Sequence, residues 1–482
     1  MSEHEHNAGT AKLNKQTLTY LSFSRNVILG MVATAVLGGV GAVGASTLYT
    51  NGAQRIMLAY LVAFSFVLSL SLGSLFFVLI QHLTRAGWAV LIRRPAEVFA
   101  LNVLTVAVLS LPIIWSAFSG SKSIYPWARG GNVGENRVES HEGALGSEHP
   151  NNAQDKVRLV QHRQTTTDTT AQTHPNSIHG HLDGASDIHN QLYIHQTFDS
   201  LTASKTGWLN PPFFAIRLLI YFGIWGCIST FYFRHSRHQD FRGGVKDTRQ
   251  MEWWSGPAMF VFGLSLTFSV FDLLMSLDPH WYSTIFGVYY FAGCAVGGFS
   301  VSLLSWLLLT RMGLVPAQLS DAHFRDLGRL LFAFVFFWGY IAFSQYMLLW
   351  YANIPETTRW WVVRGASLAE GYKNSWGIVL LLLLFVHFII PFLGMMSRHV
   401  KGNRKAMIFW TIWLLVAHYM DLYWLVMPEF RSSVAFGLPE IGTLAFVGGL
   451  YLMGASYIAT RTAIVPIGDP RLKSSLAITD AY

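Results

Sequence analysis

Five side chains able to carry charge or protons lie inside otherwise apolar stretches of this sequence: Arg217, Asp272, His387, His418 and Asp421. A carboxylate, guanidinium or imidazolium in such a stretch costs free energy unless it is paired, hydrated or free to exchange its proton, so each is a candidate for function. Asp272 lies five residues inside the apparent end of its stretch, roughly 7 Å deep at about 1.5 Å per residue. Arg217 lies at nearly the same depth in the preceding stretch, so an Arg217 to Asp272 pair would relieve both desolvation costs. The alternative is that Arg217 extends its head outward and touches nothing specific. His387 and His418 fall roughly halfway across their stretches, and Asp421 follows His418 by one turn on the same helical face. Because histidine titrates near neutrality, these three read as one proton relay opening toward the outer face, with core packing as the alternative. At the opposite end, His82 and Glu97 stand among Arg85, Arg93 and Arg94 as candidates for a proton entry.

The elements that must position these groups are membrane helices. The stretch from Met251 to Phe291 shows the pattern. Trp253 and Trp254 form one belt, about 20 mostly apolar residues follow, and Asp278, Pro279, His280, Trp281 and Tyr282 form a second belt. Ten stretches of spanning length are read near 27–50, 56–82, 98–118, 213–233, 256–277, 284–310, 328–350, 376–396, 407–427 and 439–459. Lys and Arg concentrate in alternate connections, including Arg234, Arg237, Arg242, Arg398, Lys401 and Arg404. Arg55, Arg359, Arg364, Lys373 and Arg431 are the few on the other side, which predicts cytoplasmic N- and C-termini. The expected division is a tail at 1–26, spans one to three at 27–118, a polar outer insertion at 119–210, spans four to ten at 211–460 and a tail at 461–482.

Composition supports this class and excludes others. With 52% hydrophobic residues, 12% charged and 34 Phe, the chain is an all-α polytopic membrane protein rather than a soluble globule. The formal charge of +8 falls in short blocks between spans and forms no continuous stripe, so no nucleic-acid partner is expected. The two cysteines, Cys227 and Cys294, sit in separate spans without CxxC or CxxCH, so the chain supplies no Fe–S cluster or c-type haem of its own. The N-terminus lacks a short apolar core with a small-residue cleavage site, and no cleaved signal is expected. The insertion at 119–210 includes HPNSIHGH, which has histidines but no fixed ligand geometry and reads as a solvated segment.

An internal repeat relates the two carboxylates. FDLLMSLDP in the fifth span and MDLYWLVMP in the ninth share the seven-residue spacing from Asp272 to Pro279 and from Asp421 to Pro428. An offset of four spans preserves direction through the membrane, which predicts two four-helix bundles, spans 2–5 and 6–9, flanked by spans 1 and 10. The alternative is that proline ends both helices at the same surface.

The order SGPAMFVFGLSLTFSVFDLLMSLDPHWYSTIFGVYYFAG, Ser255 to Gly293, resembles the membrane subunits of bacterial alternative complex III, the respiratory quinol:cytochrome c oxidoreductase. Of that pair of sister chains it most resembles the one proposed to conduct protons. The ten-span pattern over about residues 20–460 also resembles the wider NrfD-like, polysulfide reductase membrane-subunit superfamily. The resemblance implies an inner-membrane chain beside a sister NrfD-like subunit, an Fe–S subunit and c-type cytochrome subunits, in contact with lipid and the quinol pool. Quinone or quinol is the implied small ligand, with haem c and Fe–S clusters on the partners. Quinol oxidation needs an apolar, aromatic-walled slot with a proton acceptor. Asp272, His280 and Tyr282 are the acceptor candidates, walled by Trp281, Tyr289 and Tyr290, with Asp278 a further quinone-binding candidate; an aromatic belt is the alternative. The resemblance favours proton handling in this chain over catalytic quinol binding. A secondary transporter or a structural anchor remains open; spans eight and nine read as continuous, unlike the broken spans of many transporters.

Overall fold

The computed structural model describes residues 25–49, 52–129, 200–313, 319–366 and 375–478, and among these there is no β-strand. Ten helices are long and apolar enough to cross a membrane. They are α1 (Arg25–Ser46), α2 (Gly52–Leu83), α3 (Val90–Phe118), α4 (Pro211–Arg242), α5 (Val245–Leu277), α6 (Phe286–Arg311), α7 (Asp321–Ala352), α8 (Ser375–Gly394), α9 (Arg404–Glu429) and α10 (Leu438–Ala459). The protein is an all-α polytopic membrane protein. The 130–199 portion of the polar insertion, including HPNSIHGH, lies outside the described residues.

Four-helix packing follows the repeat. α2 to α5 pack among themselves, as do α6 to α9, and the two groups meet along α2 and α6. α1 packs along α10 as an outlying pair. The most apolar stretch of α2 is 89% buried and that of α1 only 11%, so α2 is the axis of the molecule and α1 a lipid-facing flank. The close approach of α2 and α6 requires glycine: a Cβ on Gly73 would overlap the Cys294 carbonyl, and one on Gly298 would meet the Gly73 backbone.

Several helices outrun their apolar stretches. α4 continues to Arg242, α5 starts at Val245, α7 starts at Asp321 and α3 starts at Val90. Where α3 and α4 meet, the buried charges are paired. Arg93 Nε donates to Glu97 at 2.6 Å, and Arg94 donates to Asp240 at 2.6 Å and to Glu97 at 3.1 Å. The segment after α10 covers this face: Asp469 accepts from Arg93, and Ile467 N–H donates to Asp240. Burial pushes the Asp469 carboxyl up, but Arg93 and the hydrogen bonds from Arg471 outweigh it and hold the group below the usual carboxylate range. At the far face, Arg55 forms a bidentate pair with Glu440 at 2.7 and 2.8 Å, tying the start of α2 to the start of α10. Arg55 thus has a structural role beyond its place in the charge count.

One expectation is corrected. α8 is not continuous: it runs as Ser375–Leu383, a π-helical turn Leu384–Ile389 and Ile390–Gly394. Pro391 has no N–H for the carbonyl of His387, four residues before it, and the helix widens there.

Candidate functional site

Asp421 lies on α9 at 1% exposure, in the half of the membrane away from the α1 N-terminus. Its Oδ1 accepts from the Tyr289 hydroxyl on α6, and its Oδ2 accepts from Trp338 Nε1 on α7 at 3.2 Å. No cation pairs with it among the described residues. The indole of Trp338 also lies against the His387 ring, with centroids 3.9 Å apart, and His387 and His418 are 6.2 Å apart. The π-helical turn that carries His387 also turns Phe388 toward α7, where Gly339 leaves room for it. His418 Nε2 shares a hydrogen bond with Ser69 Oγ on α2 at 2.8 Å. Space for its ring comes from α6, where a Cβ on Gly293 would come within 2.7 Å of it. Both histidines are fully buried, yet among the described residues His387 has no hydrogen-bond partner on either nitrogen and His418 none on Nδ1.

The structure therefore brings His387, His418 and Asp421 into one cluster, as their spacing suggests. They are not an unbroken hydrogen-bonded chain; Trp338 stands between His387 and the carboxylate. A cavity of about 380 Å³ adjoins the cluster, lined by Tyr346, Trp361, Leu384, Phe388 and Trp424 together with Tyr289 and Trp338. The two donors to Asp421 thus separate the carboxylate from an apolar, aromatic-walled space.

Asp272 is held differently. Arg217 Nε and Nη2 reach its two oxygens at 2.8 Å each, the Tyr221 hydroxyl donates at 2.8 Å, and Trp208 Nε1 donates at 3.3 Å. The guanidinium is fixed in turn: Nη1 donates to the Trp208 carbonyl, and the cation lies 4.4 Å from the ring centroids of Trp208 and Phe213. The start of α4 is set by Asn210, whose side chain accepts from Phe213 N–H. The pair read from depth is therefore present, and Arg217 points inward.

The remaining quinone candidates do not share one slot. Tyr282 is exposed, Trp281 stacks on Trp360 at 4.4 Å, and Tyr290 donates to the Ser65 carbonyl in the core between α2 and α6. His280 N–H donates to Asp278, which also faces Arg359 at 3.6 Å. Burial pushes the Asp278 carboxyl up, yet His280 and Arg359 hold it below the usual range. Of these residues only Tyr289 lines the cavity. Of the entry candidates, Glu97 is bound by Arg93 and Arg94. His82 is fully buried against Tyr232, and among the described residues neither of its nitrogens has a partner.

Sequence reading missed Trp338, Trp208 and Tyr221, which look like ordinary core aromatics until folding aims their donors at a carboxylate. It also missed the buried pair of Arg364 and Glu429 at 2.6 Å, with Arg364 over the Trp360 ring at 3.6 Å. Glu429 directly follows Pro428 of the repeat, the one local signal for it. Compared with known proteins, the chain matches no family model and no curated sequence.

Proposed function

We propose that this chain is an integral membrane subunit of a respiratory quinol:acceptor oxidoreductase that handles protons at the Asp421 cluster. It lies in the bacterial inner membrane with both termini in the cytoplasm, and electrons pass through Fe–S and haem c centres on partner subunits. One observation carries the reading: among the described residues Asp421 is buried with a phenol and an indole as its donors and no cation, beside two buried histidines with unpartnered nitrogens. A carboxyl so placed can gain or lose a proton without breaking an ion pair. The histidines offer the next lone pairs in from it.

The test is Asp421→Asn in the complex purified from its own membranes in mild detergent. Asparagine keeps the shape and removes the proton site, so proton release coupled to quinol oxidation should fall at least ten-fold with haem absorbance retained. Unchanged proton release would end this reading. A chain that isolates alone, without haem or Fe–S absorbance, would favour a transporter.

A second reading, quinol binding by this chain, is favoured by the 380 Å³ cavity, whose walls suit a quinone ring and whose donors Tyr289 and Trp338 lead to Asp421. A photoreactive quinone analogue should then label α7 or α8 beside Trp338 and Leu384. Labelling confined to other helices or partner chains would exclude it.

A further inference from the structure

A second cleft, of about 260 Å³, opens between α1, α3, α6 and α10 at the face that carries the α1 N-terminus. Met31, Pro95, Phe99, Leu309, Leu452 and Ala459 give it apolar walls. Its depth relative to the surface is fixed by one contact, Ser456 Oγ on α10 to the Met31 sulfur on α1 at 3.5 Å. From that level Arg25 on α1 and Arg461 beyond α10 both lie five or six residues toward the surface, roughly 8 Å at about 1.5 Å per residue. Arg311 ends α6 beside Met312, itself a wall residue. All three arginines are exposed and, among the described residues, none has a carboxylate partner. Arg461 only caps the Tyr457 ring at 3.9 Å. Arg94, also a wall residue, is buried and held by Glu97 and Asp240.

An apolar cleft in a lipid-facing wall, rimmed by cations of one sign, has the amphipathic pattern of a phospholipid. We propose that it holds an acyl chain of an anionic phospholipid from the leaflet bordering this face, with the phosphate among Arg25, Arg311 and Arg461. Only 11% of the most apolar stretch of α1 is buried within the chain, so the wall that α1 forms is exposed on its outer side. The rim supplies selectivity for charge, because each basic residue near a membrane surface contributes about 1 kcal/mol toward an anionic lipid.

The full chain, purified and stripped of lipid, would be given micelles containing dioleoyl phosphatidylglycerol or dioleoyl phosphatidylcholine, and retained lipid counted by native mass spectrometry. Wild type should retain phosphatidylglycerol in preference to phosphatidylcholine. R311Q/R461Q should retain on the order of 25-fold less phosphatidylglycerol, about five-fold per arginine, and A459F, which fills the cleft, should retain neither lipid. Equal retention of the two lipids by wild type, undiminished phosphatidylglycerol in R311Q/R461Q, or wild-type retention by A459F would overturn the proposal.

Discussion

The two halves of the molecule each bury one aspartate seven residues before a proline, and each meets it with one tyrosine and one tryptophan. They differ in a single charge. Asp272 has Arg217 on both oxygens; Asp421 has none, and the nearby Arg364 is taken by Glu429. The corresponding helices of the two bundles, α4 and α8, differ in regularity. α4 is regular and brings Arg217 and Tyr221 to Asp272 from one face, whereas α8 widens at Leu384–Ile389 and places His387 behind Trp338 rather than on Asp421. A carboxylate clamped by a guanidinium resists protonation, because protonating it leaves a buried cation unpaired. With only neutral donors, a carboxyl carries no such penalty. One scaffold therefore gives a fixed strut in the first bundle and an exchangeable site in the second.

The sharpest way to break this contrast is Arg217→Gln. It leaves the Asp272 carboxylate buried with Trp208 and Tyr221 but no cation, and should destabilise the chain by about 3–5 kcal/mol. The measurement is the thermal transition of the purified protein in detergent. Adding Asp272→Asn to that variant should recover most of the loss, since neutral partners replace the orphaned charge. If Arg217→Gln melts with wild type, the clamp is not structural and the comparison fails.

A smaller effect is expected on the other side. Tyr289→Phe removes one hydrogen bond from Asp421 while filling the same space, a cost of about 1–2 kcal/mol in the same thermal measurement. A loss as large as that of Arg217→Gln would mean that Asp421 depends on its donors as Asp272 depends on its cation, and the two sites would no longer differ in kind.

Much of this was legible in the residues. Arg217 and Asp272 could be paired because both interrupt apolar stretches at matching depth, and helix direction then leaves few alternatives. The proximity of His387, His418 and Asp421 followed from depth in the same way. The quinone candidates near Pro279 followed linear neighbourhood instead, and the fold scatters them. Tyr282 faces outward while Tyr290, eight residues on, reaches the carbonyl of Ser65.

Chain chemistry alone set the ten spans, their order and the twofold repeat, because apolar length and the spacing of polar interruptions are properties of consecutive residues. The buried charges at the start of α3 needed the fold, since Arg93 and Arg94 are matched by Asp469 and Asp240, far away in sequence. The same holds for the character of the two aspartates. Their local sequences are nearly equivalent, and what distinguishes them is which side chains the neighbouring helices aim at each one. That depends on the rotation of α4 and α8, the room left by Gly293 and Gly339 and the long-range packing of α6 and α7, none of which is encoded within a turn of either carboxylate.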